Sequence, residues 1–340
     1  MSGVRATGIG SFPGTEQRDL DEALAVVLGE VAGDERGIAY APEVPGRGAA
    51  AAMVGRTLGL VGELDADLQP GGWRLTGSAG APPVDQRRAR SLLAQDLDAV
   101  EEGAAGHAGA FKTQLTGPWT LAATVERPRG DKLLADHGAR RELAQALAVA
   151  VTDHVADLRR RLPAASSLVV QLDEPALPAV LAAGIPTASG FGKHRTVHPP
   201  EASEALEWVL GAIRDAGATP WVHCCAPGVP IGLLRGAGAS GVMLDLGLLD
   251  ADGHDAAAEA LEAGDTIALG VVPTTGELPG AKAVIERVLR WLDMLGLDPE
   301  VVGGGLVVTP ACGLAGSTPQ DARRATELVR SVARSLAGQA

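Results

Sequence analysis

Aromatic residues are scarce, at 3% of 340 residues, although hydrophobic residues reach 46%. A large core is therefore available, but it must be built from Ala, Val and Leu. Basic residues are also in deficit: 29 Lys and Arg face 42 Asp and Glu, a formal charge of −13. That balance argues against a nucleic-acid or anionic-membrane partner, where basic patches are expected. The 3 cysteines, two of them adjacent, cannot supply a paired disulfide framework. Reduced thiols and a cytoplasmic location are the expectation. Nowhere do ~18 apolar residues run uninterrupted, which argues against a membrane span. The first residues lack the apolar stretch of a secretory leader. Internal repeats, low-complexity linkers and blocks of like charge are absent as well.

What is present is a regular alternation. Eight short apolar segments, 4–11, 37–43, 108–115, 167–173, 219–225, 241–246, 266–272 and 306–312, end in Gly, Pro or polar residues. Between them lie Ala-, Leu-, Glu- and Arg-rich stretches with helical spacing, clearest over 17–28, 87–102, 140–162, 201–214, 255–263, 281–295 and 319–336. Thr318 before Pro319 suits a helix start. Strand and helix alternating eight times predicts an α/β fold, a parallel (β/α)8 TIM barrel, with residues 1–340 forming one catalytic domain. Residues 48–85 read as a helix followed by an excursion ending near Pro82 and Pro83, compatible with a hairpin or a lid. Residues 186–200 read as a loop over the site, with His194 and His198 as surface residues.

In such a barrel the functional residues sit at the C-terminal ends of the strands. Ser11 ends the first strand, Glu43 the second, Gln114 and Thr116 the third, ahead of Trp119. Asp173 and Glu174 end the fourth, His223 and Cys225 the fifth, Asp245 the sixth and Cys312 the eighth. Two thiols and an imidazole from separate strands suit Zn²⁺ with one position left for substrate. Each residue also has a structural alternative. Asp173 or Glu174 could cap the helix beginning near Pro175, Glu43 could pair with Arg47, and Asp245 could be a buried acid satisfied by backbone donors. Cys224 alternates with its neighbours and should point away from the lumen as a small core hydrophobe.

Five motifs in order, Ile9-Gly-Ser-Phe-Pro-Gly-Thr15, Gln114-Leu-Thr-Gly-Pro118, Gln171-Leu-Asp-Glu-Pro-Ala176, His223-x-Cys225 and Pro310-Ala-Cys-Gly-Leu314, resemble the catalytic half of cobalamin-independent methionine synthase. The resemblance spans residues 7 to about 318. Full-length members carry an additional N-terminal barrel, so the sequence looks like the short single-barrel core form. The resemblance implies zinc-dependent methyl transfer to the thiol of homocysteine. It implies His223, Cys225 and Cys312 as zinc ligands, with the family's Glu position falling on a shorter carboxylate, Asp245. It also implies that Ile9, Gly10, Ser11, Glu43 and Asp173 hold the amino-acid head of the substrate.

Family members have an Asp and a His beyond the seventh strand, where this sequence has Gly270-Val-Val-Pro-Thr-Thr275. That departure leaves two donors open, methyltetrahydrofolate and a methylated corrinoid on a carrier protein. Gln114 and Trp119 are the candidate donor contacts, and Asp173 and Glu174 the candidate catalytic carboxylates. Three other readings compete: a zinc hydrolase with Glu174 as base, a non-catalytic zinc- or thiol-binding homologue, and a metal-free decarboxylase in the same barrel superfamily.

Overall fold

The computed structural model describes residues 3–77 and 82–338. Among the described residues ten strands occur in chain order: β1 (Arg5–Ala6), β2 (Ala39–Tyr40), β3 (Ala66–Gln69), β4 (Gly72–Leu75), β5 (Ala110–Thr116), β6 (Ser167–Asp173), β7 (Thr219–Cys224), β8 (Gly241–Asp245), β9 (Thr266–Val272) and β10 (Leu306–Pro310). Eight of them form one sheet in the order β1-β10-β9-β8-β7-β6-β5-β2. Every pairing in it is parallel. Its two ends meet through parallel bridges Ala6–Gly37 and Ser11–Glu43. The Ile38 amide donates to Ala6 O at 2.8 Å and the Glu43 amide to Gly10 O at 3.0 Å. The sheet thus curls on itself as an α/β barrel, as the alternation predicts, and each of the eight apolar segments supplies one of its strands.

The long helices follow the expected order: Gln17–Val26, Val84–Gly103, His137–Arg161, Pro199–Asp215, Ala251–Glu262, Ala281–Met294 and Pro319–Ala337. At the last of these the Thr318 side chain accepts from the Asp321 amide and Pro occupies the first turn. That arrangement satisfies an otherwise orphaned helix-start donor. Among the described residues no helix is long and apolar enough to cross a membrane. Residues 48–85 contain the helix Met53–Leu60 and then the antiparallel hairpin β3–β4. The hairpin is anchored where Arg74 pairs with Glu126 at 2.5 Å.

Two kinds of core result. Most buried apolar residues lie between strands and helices. A separate cluster of Ile9, Ile38, Val169, Trp221, Met243, Ala268 and Val307 fills the barrel lumen. Because side chains alternate along a strand, residues two positions on from this cluster also face inward. From Val169 and Trp221 that parity leads to Gln171 and Asp173 on β6 and to His223 on β7. An apolar floor is therefore overlaid by a polar layer near the C-terminal ends of the strands.

Candidate metal and substrate site

In the parallel register Asp173 lies opposite His223. This places the His223 imidazole beside the Asp173 carboxylate, and His223 Nδ1 is 2.8 Å from Asp173 Oδ1. A carboxylate only accepts, so Nδ1 keeps its proton, and Nε2 is the nitrogen that yields a lone pair when the imidazolium is neutralised. Nε2 is buried and has no hydrogen-bond partner among the described residues. On the β10 side, register shifts between Thr309 and Pro310, and the Ala311 amide bonds Val272 O at 2.8 Å. Such an irregularity re-aims the chain beyond it, and here it precedes Cys312. The ligand atoms of His223, Cys225 and Cys312 all lie within 4.8 Å of one another. The sulfurs of Cys225 and Cys312 are 2.7 Å apart.

The electrostatics favour a deprotonated thiol. Cys312 is pushed down to about 4, chiefly by the hydrogen bond from Cys225, with the His223 imidazole adding to it against the cost of burial. The Cys225 thiol rises correspondingly because it holds the shared proton for Cys312. Burial alone would lower His223, but Asp173 and Cys312 outweigh it and carry the imidazole to about 9. A soft thiolate, a second thiol beside it and an imidazole with its outer nitrogen fixed by a carboxylate are the donors a Zn²⁺ ion takes, displacing protons as it binds. The three residues therefore fit zinc. Cys224, one position out of phase, is fully buried, and burial raises its thiol to about 12. It is an inert core thiol, as its alternation predicts.

These donors open on a cavity of about 430 Å³ that Ile9, Gly10, Ser11, Glu43, Gln114 and Asp173 also line. Gly10 has φ +153°, and a Cβ there would lie 2.7 Å from the Gln114 amide. Glycine thus lets Gln114 lie against the chain, where it donates to Ala41 O at 2.7 Å. Glu43 is buried and pairs with Arg56 at 3.2 Å, not with Arg47. Arg47 instead forks onto Asp96 at 2.9 and 2.7 Å, and Arg56 also reaches Asp96. Burial raises the Glu43 carboxyl above its ordinary value; Arg56 opposes this and Asp173 adds to it.

Several expected residues stand elsewhere. Glu174 is not a lining residue of the cavity. One position beyond Asp173, it faces the outer side of the sheet, where its oxygens accept from the Trp119 and Thr120 amides at 2.8 Å and from the Thr120 hydroxyl at 2.7 Å. It caps the helix Pro118–Thr124, not the one after Pro175, and burial raises its carboxyl to about 7 against those hydrogen bonds. Trp119 is buried and donates its indole N–H to Ala202 O at 3.0 Å, so it packs beneath the helices and offers no face to a donor. Asp245 does not join the three sulfur and nitrogen donors. Its carboxylate accepts from the Gly247 amide at 2.8 Å and caps the short turn Leu246–Leu248. His194 is buried rather than exposed, with Nε2 3.1 Å from Asp131, whereas His198 is exposed.

Sequence reasoning missed Lys112. It is fully buried on β5 inside the lumen, and burial lowers it to about 7 although Asp173 and Glu43 pull the other way. The signal was present, since Lys112 and Gln114 share one face of an alternating strand.

A family model described as "Cobalamin-independent synthase, Catalytic domain" matches residues 98–335. The chain belongs to this family. A B12-independent methionine synthase from Shewanella sp. W3-18-1, solved in complex with selenomethionine, has a similar fold: TM-score 0.63, 14% identity, covering 99% of this chain and 98% of that one. A methylaspartate ammonia lyase from Clostridium tetanomorphum aligns at TM-score 0.46 and 10% identity over 100% of this chain and 60% of that one, too distant to bear on the argument. No curated protein matches the chain in sequence.

Proposed function

We propose that this family member is a zinc-dependent S-methyltransferase, with the whole chain acting as one catalytic barrel that converts homocysteine to methionine. The observation that carries the reading is the convergence of His223, Cys225 and Cys312, with the imidazole's outer nitrogen tied to Asp173 and its inner nitrogen unpaired. Zinc, when bound there, supplies a thiolate from a substrate thiol that is mostly protonated at neutral pH, given an ordinary pKa near ~8.5. His223, Cys225 and Cys312 would hold it.

The chain's own residues do the rest. Asp173 Oδ1 is occupied by Gln171 and His223, so Oδ2 remains for an ammonium group, with Glu43 on the same cavity wall. Ser11 and the backbone at Ile9 and Gly10 would take the carboxylate. An α-amino acid bound in this way extends its thiol toward the three donors, which favours homocysteine over a thiol without that head group. Asp173 thus serves both halves of the site, orienting His223 and binding substrate.

For the donor, the turn directly after β9 is Pro273, Thr274 and Thr275, without the Asp and His of the family pattern, and the first acid beyond it is Glu277. A folate anion leaves poorly unless protonated, whereas a methylated corrinoid needs no proton. We therefore propose a methylated corrinoid on a carrier protein, with methyltetrahydrofolate as the other donor to assay. Gln114, which lines the cavity, is the remaining candidate donor contact. Ligand thiols that must stay reduced support a cytoplasmic location. The hydrolase reading loses its base, because Glu174 caps a helix away from the cavity.

Metal analysis and a paired assay test the proposal. The purified protein should hold near one zinc per chain, and Cys312→Ser should abolish tight binding. Methionine should form from homocysteine with methylcobalamin or methyltetrahydrofolate. A protein that neither holds nor acquires zinc overturns the reading, and zinc binding without methyl transfer from either donor leaves a binding protein.

A further inference from the structure

The strongest unexplained feature is the lysine in the lumen. A charged side chain is costly to bury unless every donor is met. Lys112 Nζ meets Gln171 Oε1 at 2.7 Å, Ile9 O at 2.9 Å and Gln114 Oε1 at 3.4 Å. It also lies 5.1 Å from the centre of the Tyr40 ring. Three acceptors match the three N–H bonds of an ammonium, and an amine still serves the two short contacts.

From Lys112 the hydrogen bonds run in one direction. The ammonium of Lys112 only donates and the carboxylate of Asp173 only accepts, so the amide of Gln171 turns its oxygen toward Nζ. Its nitrogen then faces Asp173 Oδ1 at 2.7 Å and Ile9 O at 3.1 Å. Asp173 Oδ1, fixed by that donor, accepts from His223 Nδ1 at 2.8 Å. With Nδ1 held protonated, a metal displaces the proton of Nε2, the atom that shares the space of the two sulfurs. The same ammonium grips Ile9 and Gln114, which line the cavity beside the metal donors.

We propose that Lys112 is a positioning residue for the metal centre, acting through Gln171 and Asp173 to fix the tautomer and orientation of His223, and through Ile9 to fix the substrate wall. This deepens the zinc reading above and rests on it for its functional meaning. Partners behind a metal-bound histidine typically change metal affinity by about 10–100-fold when removed. Lys112 stands two hydrogen-bonded groups further back, and its ammonium at one end and Asp173 at the other hold the amide between them in one orientation.

The test uses the full chain with Lys112→Met, Gln171→Asn and the double variant. In the metal-free protein labelled with ¹⁵N-histidine, the Nδ1 proton of His223 should resonate downfield and move or vanish in each variant. Zinc affinity, read by competition with a chromophoric chelator, should fall about 10-fold or more in each. The double variant should bind no more weakly than the worse single variant, because both changes break one chain. An unmoved Nδ1 resonance, unchanged zinc affinity or additive losses would overturn the proposal. Should Lys112→Met fail to fold, Gln171→Asn carries the same readouts. If the wild-type protein takes up no zinc, the methyltransferase reading falls, while the imidazole resonance still decides whether Lys112 orients His223.

Discussion

The two walls of the cavity are built by different means. The candidate metal wall is a product of strand register: Asp173 and His223 face each other across β6 and β7, and Cys312 follows the irregular end of β10. The cavity wall at Glu43, the proposed substrate side, depends on partners outside the barrel sheet. Glu43 is held by Arg56 from the helix Met53–Leu60, and Arg56 shares Asp96 of the helix Val84–Gly103 with Arg47. Backbone hydrogen bonds set the first wall once the barrel closes. The second requires several buried charges to neutralise one another, so a single substitution should disturb it more.

The largest effect is expected on that second wall. Arg56→Met leaves Glu43 and Asp96 short of a buried partner, and breaking a buried pair costs about 3–5 kcal/mol. Denaturant unfolding should show a loss of that size; a loss below about 1 kcal/mol would mean the two walls are equally robust.

A smaller effect is expected behind β6. The Glu174 carboxyl is raised from 4.5 to about 7 in the folded chain, mainly by burial. Between those values the folded state keeps a proton that the unfolded state has lost, so this group's contribution to stability falls as pH rises through the window. The full span corresponds to about 3 kcal/mol. Glu174→Gln should flatten the decline in stability between pH 5 and 7, and an unchanged slope would show that the capping carboxylate ionises normally.

The smallest effect belongs to the strand-built wall. Asp173→Asn keeps the shape of the side chain but weakens the acceptor behind His223. It should reduce zinc affinity by about 10–100-fold, or roughly 1.4–2.7 kcal/mol, with a smaller loss of folding stability than Arg56→Met because the imidazole can give up its proton. Chelator competition and thermal unfolding on the same preparation separate the two. A drop in stability matching that of Arg56→Met would erase the distinction between the walls.

The neighbours Asp173 and Glu174 show what was legible. Both are carboxylates at one strand end, and composition cannot tell them apart. Alternation can: Asp173 shares the inward face of Gln171, whereas Glu174 is one residue out of phase and meets the start of the helix Pro118–Thr124. The same rule correctly set Cys224 aside and would have exposed Lys112 as a lumen residue. Alternation fails at the last residue of β8, where Asp245, in phase with the lumen residue Met243, turns instead to cap the turn that follows. Nor could it reveal that Trp119 would bond a carbonyl of the helix Pro199–Asp215, or that His194 would pack against Asp131. Those outcomes depend on which surfaces dock.

By itself the sequence determined the barrel, because eight apolar segments alternating with amphipathic helices have few other ways to bury their faces. It also determined which residue types stand at the strand exits. Only the tertiary structure decided which of them share one space, because that depends on inter-strand register, on the irregularity before Cys312 and on long-range pairing of buried charges. None of these is encoded in local spacing, and all follow from closing the sheet.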